Sequence, residues 1–167
     1  MGINRRQMLG GTAAWLVAGL AGAGKAIAEQ SPAVAFLDKS QLIYLSPFLA
    51  DGSESACHGE VWFVHHGGDI YVITRSDAWR TEAIRRGLRK TAVWIGEFGV
   101  WKRAKDQYRS APYLEVQGGF EEDPTAQGKI LERFGVKYAD EWSSWGPRFR
   151  DGIADGSRVM LRYQVAA

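Results

Sequence analysis

A seven-residue stretch has the residue types expected of a phosphate-binding site, and it reads Thr74-Arg75-Ser76-Asp77-Ala78-Trp79-Arg80. A β-branched and aromatic run ends at Thr74, and a helical pattern follows it. Helix N-termini carry free N–H groups and partial positive charge, which favours a bound phosphate. The two hydroxyls can donate hydrogen bonds, and the arginines can add charge-assisted ones. The other interpretation is an ordinary capped helix with solvated arginines, which Asp77 favours.

A basic run follows this stretch, on both sides of Gly87, and consists of Arg85, Arg86, Arg89 and Lys90. These cations could close over a cofactor phosphate or bind an acidic substrate. Positive charges at the end of a helix also complement the helix dipole while solvated. The sequence leaves both interpretations open.

Two adjacent histidines, His65 and His66, suggest a metal or haem ligand. Neighbouring residues on a strand point to opposite faces, so both cannot easily bind one ion. No spaced set of histidine, cysteine or aspartate completes a zinc site. We therefore predict no metal site, and one axial haem ligand is left as the alternative to a structural or exposed role.

Tryptophan is abundant, and its positions suggest two roles. Trp62 and Trp94 lie inside predicted strands, which favours the core. The other four tryptophans of the body lie at element ends, where they could stack on a cofactor ring: Trp79, Trp101, Trp142 and Trp145. The segment from Trp142 to Pro147 predicts a mobile aromatic loop that covers a pocket.

The N-terminal segment has the features of an export leader. Arg5-Arg6 precede an uncharged run from Gln7 to Gly24, which Lys25-Ala26-Ile27-Ala28 follows. This order resembles a twin-arginine signal, read by the twin-arginine translocase, with cleavage after Ala28. Such a signal implies a periplasmic or other extracytoplasmic location and a cargo that is folded before export. The alternative is a retained membrane anchor, since the uncharged run is near the minimum length of a span.

Without residues 1–28, the chain has 139 residues with 18 basic and 19 acidic side chains. This length suits one domain, residues 29–167, around one core. A body so close to neutral provides no electrostatic basis for binding nucleic acid. Cys57 is the only cysteine, which excludes a disulfide within the chain. A catalytic thiol would need a base, and His58 is the nearest candidate.

The pattern of the body predicts a mainly β protein with short helices, an α+β fold whose antiparallel sheet is closed or nearly closed. A Gly67-Gly68 turn joins two of the strands as a hairpin, and Gly87 and Gly135 mark helix ends. The predicted strands cover about 42–46, 61–64, 70–73, 92–95, 113–118 and 158–163, and the predicted helices cover 33–40, 77–86 and 124–135.

This order of elements resembles the pyridoxamine 5′-phosphate oxidase-like split β-barrel superfamily over residues 33–165. The similar segments are the Asp51-Gly52 turn, the run 61–64, the glycine turn, the strand 70–74, and the closing turn and strand from Asp155. The superfamily includes flavin oxidases, deazaflavin reductases and haem-handling proteins. The Arg and His motif that binds substrate in true pyridoxamine phosphate oxidases is absent, so the resemblance does not extend to that reaction.

The resemblance implies a homodimer that binds FMN or a deazaflavin at its interface and acts on a small-molecule substrate. A Thr-x-Ser stretch with a basic residue four positions later holds the flavin phosphate in such proteins. Transferred here, this implies phosphate contacts from Thr74, Arg75, Ser76 and Arg80, and ring contacts from Trp79 and Trp101. The alternative on the same fold is a haem-binding protein, with His65 or His66 as ligand, or a cofactor-free binding protein.

The leader predicts that the variant Arg5→Lys with Arg6→Lys keeps its charge and loses export. Lysine does not reproduce the planar donor geometry of the guanidinium pair. Cell fractionation and the size of the processed chain measure the outcome. A Lys-Lys variant that is still shortened and found outside the cytoplasm would rule out the twin-arginine interpretation.

Overall fold

The computed structural model describes residues 31–165, so the leader and its cleavage site lie outside the described residues. Short 3-10 helices cover Pro32–Phe36 and Gln107–Ser110. Between residues 31 and 165, no helix combines the length and the apolar character that crossing a bilayer requires. The strands are β1 (Ile43–Pro47), β2 (Gly59–Val61), β3 (Val64–His66), β4 (Asp69–Arg75), β5 (Lys90–Ile95), β6 (Tyr113–Phe120) and β7 (Arg158–Val165); the α-helices are α1 (Trp79–Arg85), α2 (Trp101–Ala104), α3 (Pro124–Lys137) and α4 (Ala139–Ala154).

The seven strands form one antiparallel sheet in the order β2-β1-β5-β6-β7-β4-β3. The predicted antiparallel architecture is confirmed, with seven described strands where the sequence indicated six. β2 and β3 lie at opposite edges of the sheet, yet only Trp62 and Phe63 separate them along the chain. The sheet must curl, because a connection of two residues can join its two edge strands only if these lie close together in space.

The prediction of one continuous strand over residues 61–64 is wrong, because the chain leaves one sheet edge there and joins the other. Tyr138 satisfies the backbone at this crossing. Its hydroxyl accepts a hydrogen bond from the Phe63 N–H at 2.9 Å. The same hydroxyl lies 2.8 Å from the Gln41 carbonyl oxygen and 3.0 Å from that of Phe63. The Trp62 ring stacks on the Tyr138 ring at 4.3 Å between centroids.

Apolar side chains fill the barrel and cover parts of its outer surface. The interior core comes from alternate residues of the strands, such as Leu45, Val72 and Leu161. The helices α3 and α4 cover the outer face of β3, β4 and β7, while α2 and the second 3-10 helix cover that of β1 and β5. The outer face of β6 lies between these two layers and is exposed at every second residue from Tyr113 to Gln117.

The C-terminal half of the helical layer differs from the prediction. Gly135 does not end α3, and residues 142–147 are part of α4 rather than a mobile loop. The Trp142 side chain packs between the two helices, where a Cβ on Gly135 or on Gly146 would lie 2.7–2.8 Å from indole atoms. These glycines therefore permit close packing of the tryptophan. The stabilisation from that packing outweighs the low helix propensity of glycine.

The Tyr138 hydroxyl predicts a measurable cost for removing it. Tyr138→Phe leaves the buried Phe63 N–H without its acceptor, so we expect a loss of about 1–3 kcal/mol in the free energy of unfolding. Urea denaturation followed by tryptophan fluorescence measures this loss. Tyr113→Phe is the matched control, because that exposed hydroxyl donates only to Glu115 and should contribute less than about 0.5 kcal/mol. Equal effects of the two substitutions would contradict the role of Tyr138.

Candidate functional site

The junction between β4 and α1 contains five of the six predicted cofactor-binding residues. Ser76 and Asp77 are residue types that predict an N-cap, but that prediction is wrong, because the helix begins at Trp79 and its N-cap is Ala78. Asp77 instead accepts two hydrogen bonds from the Arg75 guanidinium, at 2.8 and 2.6 Å. Because α1 has seven residues, few peptide dipoles are aligned in it. Anion affinity at this junction must therefore come from side chains.

Arg80 is the central side chain of the junction. Its Nη1 donates to the Thr74 hydroxyl at 2.7 Å, and Thr74 is buried. The other end of the guanidinium lies against Gly59, where a Cβ would be 2.5 Å from Nη2. Within residues 31–165, no carboxylate lies within 4.0 Å of Arg80. Arg80 is thus a half-buried cation without a counter-ion among the described residues.

Two buried donors near this region also lack a partner within the described part of the chain: the Trp79 Nε1–H and the Tyr163 hydroxyl. Burial raises the pKa of the Tyr163 phenol, and the positive charge of Arg80 opposes that rise. Tyr163 lies inside the barrel, next to Gly118 and Ile84. The first turn of α1 therefore combines an uncompensated cation with an unpaired donor on the neighbouring residue.

Arg75 and Ser76 lie apart from this group. Thr74 and Arg75 are neighbours on a strand and point to opposite faces, and the Arg75 side chain is 71% exposed. The Ser76 N–H donates to the Ser157 carbonyl at 2.9 Å, and its carbonyl accepts from Arg85 at 2.6 Å. Arg75 and Ser76 line an open groove of about 380 Å³ with Asp77, Ser157 and Arg158. The structure brings Thr74 and Arg80 together and directs the Arg75 side chain to the opposite face of β4, toward the open groove.

Trp101 lies on the other side of β2. Trp101 is the first residue of α2, and its backbone N–H donates to Glu60 Oε2 at 3.1 Å. Glu60 and Gly59 are adjacent on β2, so their side-chain directions are opposite. Arg80 packs against Gly59, which means that the structure does not bring Trp101 and Arg80 together. The role of Gly59 was missed in the sequence, where a single glycine at the start of a strand gave little signal.

Most of the basic run after α1 is paired with acids. Arg85 and Arg86 both approach Glu82, at 3.9 and 2.8 Å. Lys90 lies 2.7 Å from Glu115 across the β5–β6 ladder. Arg89 is exposed at the edge of a cavity of about 350 Å³ on the outer face of β6 and β7. These pairings favour the interpretation of the run as a solvated face.

The two histidines lie on the edge strand β3. The Nδ1 atom of His65 is 3.0 Å from Asp38 Oδ1, and its Nε2 atom is buried without a partner among residues 31–165. His66 pairs with Asp69 across the hairpin turn. No group of three histidine, cysteine, aspartate or glutamate side chains suited to a metal ion occurs in the described part of the chain. Cys57 is half-buried and has no disulfide partner there.

Comparisons with known proteins identify the fold. No family model and no curated protein matches the sequence. A candidate pyridoxamine 5′-phosphate oxidase from Listeria innocua has a TM-score of 0.51 at 18% identity, over 80% of this chain and 90% of its own. The heme storage protein HutZ from Vibrio cholerae has a TM-score of 0.53 at 13% identity, over 83% and 92%. A FAD-binding protein from Mesorhizobium loti has a TM-score of 0.52 at 11% identity, over 81% and 88%.

The described residues and these solved structures therefore share an architecture. Identities of 11–18% establish similarity of fold and leave the reaction open. The seven-stranded curled sheet with a few helices is the split-barrel fold of these pyridoxamine phosphate oxidase-like neighbours.

Proposed function

We propose that this chain is an exported oxidoreductase-like protein that binds FMN or a deazaflavin through its phosphate. The observation that carries the proposal is the half-buried Arg80 guanidinium, hydrogen-bonded to Thr74 and without a carboxylate partner in residues 31–165. A phosphate would supply the missing negative charge. Charge-assisted hydrogen bonds of this type are about twice as strong as neutral ones.

The side chains at the junction fit a phosphate better than they fit a ring. Thr74 orients the guanidinium, and the buried Trp79 Nε1–H next in sequence has no partner among residues 31–165. Trp79 is also the aromatic side chain nearest to Arg80 along the chain, whereas Trp101 lies across β2. A bound flavin would supply hydride or electron transfer, and the protein would bind and orient it. A small molecule is the proposed substrate class.

Location and assembly belong to the same proposal. The twin-arginine pattern at Arg5-Arg6 supports export through the translocase to the periplasm or another extracytoplasmic space, with cleavage after Ala28. The uncovered outer face of β6 supports a homodimer. This face carries both positive and negative side chains, such as Lys90 and Glu115. A twofold axis can therefore place positive side chains of one copy against negative side chains of the other.

A haem-binding or cofactor-free protein on the same fold is the second candidate. One observation favours it: the buried Nε2 atom of His65 has no partner in the described residues, while Asp38 binds Nδ1. A carboxylate on one ring nitrogen fixes the tautomer and leaves the other nitrogen as a ligand. His66 lacks such a partner within residues 31–165 and is the weaker candidate for this role.

The phosphate site predicts a selective loss of cofactor affinity in Arg80→Gln. Removing the charge should lower the affinity for FMN, or for a phosphate-bearing deazaflavin, roughly tenfold or more. Riboflavin has no phosphate and should bind weakly and equally to both proteins. Fluorescence titration of the cofactor-free protein measures these affinities. Arg103→Gln removes an exposed arginine of α2 and is the matched control.

Thermal melting without cofactor separates a binding defect from a folding defect in the Arg80 variant, since the wild-type guanidinium is half-buried. Equal FMN affinity in the wild type and a folded Arg80→Gln protein would contradict the site. If neither flavin binds and haem addition produces an absorption band that His65→Ala removes, the second candidate function is correct.

The dimer predicts a sedimentation mass of about twice that of the monomer. Gly119 lies on the uncovered outer face of β6, and a Cβ there would meet a single atom at 4.0 Å. Gly119→Arg should therefore leave the monomer folded and prevent two such faces from meeting. A wild type that sediments as a monomer at micromolar concentration, or a variant that remains dimeric, would contradict the proposed interface.

A further inference from the structure

A cavity of about 510 Å³ lies between β3, the first 3-10 helix and α3, and the flavin proposal does not use it. This volume is in the range of small-molecule sites. Charged and apolar side chains alternate around it. The lining residues are Leu37, Asp38, Val64, His65, His66, Lys129, Glu132, Arg133, Val136 and Lys137.

Three cations line the α3 side of the cavity. Lys129, Arg133 and Lys137 are spaced four residues apart, so they share one face of the helix. None of them has a carboxylate within 4.0 Å among residues 31–165. The acids of the lining are Asp38, which contacts His65, and Glu132. With neutral histidines the lining has a net charge of +1, which matches a monoanion.

Lys137 is the least solvated of these cations. Its Nζ atom lies 3.4 Å from the centroid of the Phe63 ring. Burial lowers the pKa of Lys137 to about 8, and the negative charges of Asp38 and Glu97 oppose this effect. An anion placed beside Nζ would stabilise the charged form, because opposite charges favour ionisation.

His65 lies on the β3 side of the same lining. Its Nδ1 atom is engaged by Asp38 at 3.0 Å, whereas Nε2 is buried with no partner in the described residues. The apolar side chains of the same lining are Leu37, Val64 and Val136, and the first two are almost fully buried. Val136, in contrast, is 82% exposed. A ligand with an apolar body would cover part of this surface.

We propose that this cavity binds a small organic carboxylate with a compact apolar body. The carboxylate lies beside Lys137, and Arg133 and Lys129 attract it from the helix. The apolar body packs against Val136, where the lining exposes apolar surface. This site uses none of the residues proposed to hold the flavin phosphate, so the two proposals can fail independently.

Titration of the purified chain with benzoate, followed by calorimetry or by histidine NMR signals, tests the proposal. We expect saturable binding with a dissociation constant of about 1 mM or tighter at pH 7. Benzamide has the same shape without the charge and should bind at least tenfold more weakly. Lys137→Gln should weaken benzoate roughly tenfold, and the exposed Arg133→Gln should weaken it two- to fivefold. Lys105→Gln removes a distant exposed lysine and should change nothing.

The pH dependence gives an independent result. Lys137 loses its proton as the pH rises through about 8, so benzoate affinity should fall between pH 7 and pH 9.5. The charged and titratable groups that face Lys137 or line its cavity are Asp38, His65, His66, Glu97, Lys129, Glu132 and Arg133. Lys137→Gln isolates the contribution of Lys137, and its residual binding should change less over this range.

Several outcomes would overturn the proposal. They are the absence of saturable benzoate binding, equal binding of benzoate and benzamide, and unchanged benzoate affinity in folded Lys137→Gln protein. Inorganic phosphate that binds more tightly than benzoate would show a general anion patch instead. FMN titration of the same Lys137 variant should match the wild type, which separates this site from the flavin site.

Discussion

The hydrogen bonds of the Tyr138 hydroxyl determine how the sheet closes. The chain passes from β2 at one edge to β3 at the other within two residues, and Phe63 at this crossing lies outside both strands. A buried backbone N–H without a partner is costly, so such a crossing needs an acceptor from outside the sheet. Tyr138, between α3 and α4, provides it at 2.9 Å. The helical layer and the closure of the barrel therefore depend on each other.

Both candidate sites depend on this crossing. On the β2 side, Gly59 lies against the Arg80 guanidinium. On the β3 side, Phe63 lies under the Lys137 ammonium, and Lys137 directly precedes Tyr138. A shift of the crossing by one residue would reverse the side-chain directions of β2 and β3. It would thus remove the glycine from Arg80 and turn His65 away from Asp38.

The sequence was sufficient to predict the antiparallel sheet, the hairpin at Gly67-Gly68 and the start of α3 at residue 124, because each has a local signal. It was insufficient for the break at Trp62, where the residues look like a strand and a tyrosine 75 residues away from Phe63 decides the outcome. It was also insufficient for α4, because Gly146 and Pro147 suggested a loop. There the packing of Trp142, Trp145 and Phe149 at helical spacing outweighs local propensity.

The same distinction applies to the sites. Thr74 and Arg80 are close in sequence, and their contact follows the strand-to-helix turn that the pattern predicted. Trp101 and Arg80 are separated because they contact neighbouring β2 residues whose side-chain directions are opposite. The pairing of β2 with β1 determines which residue points to which face. The cavity beside Lys137 requires α3 to pack on β3, and no local motif indicates that contact. Site residues that come from different strands and helices could therefore be identified only from the folded structure.

Charge pairing shows why Arg80 and Lys137 are unusual in this protein. Glu54 binds the Arg109 guanidinium with both oxygens, and this contact raises the pKa of Arg109. Asp69 likewise accepts from Arg162 at 2.6 Å. A cation that is partly withdrawn from water loses solvation, and a nearby carboxylate normally compensates for that loss. Neither Arg80 nor Lys137 has a carboxylate within 4.0 Å among residues 31–165, so a bound anion at each would complete a pattern that the paired arginines already follow.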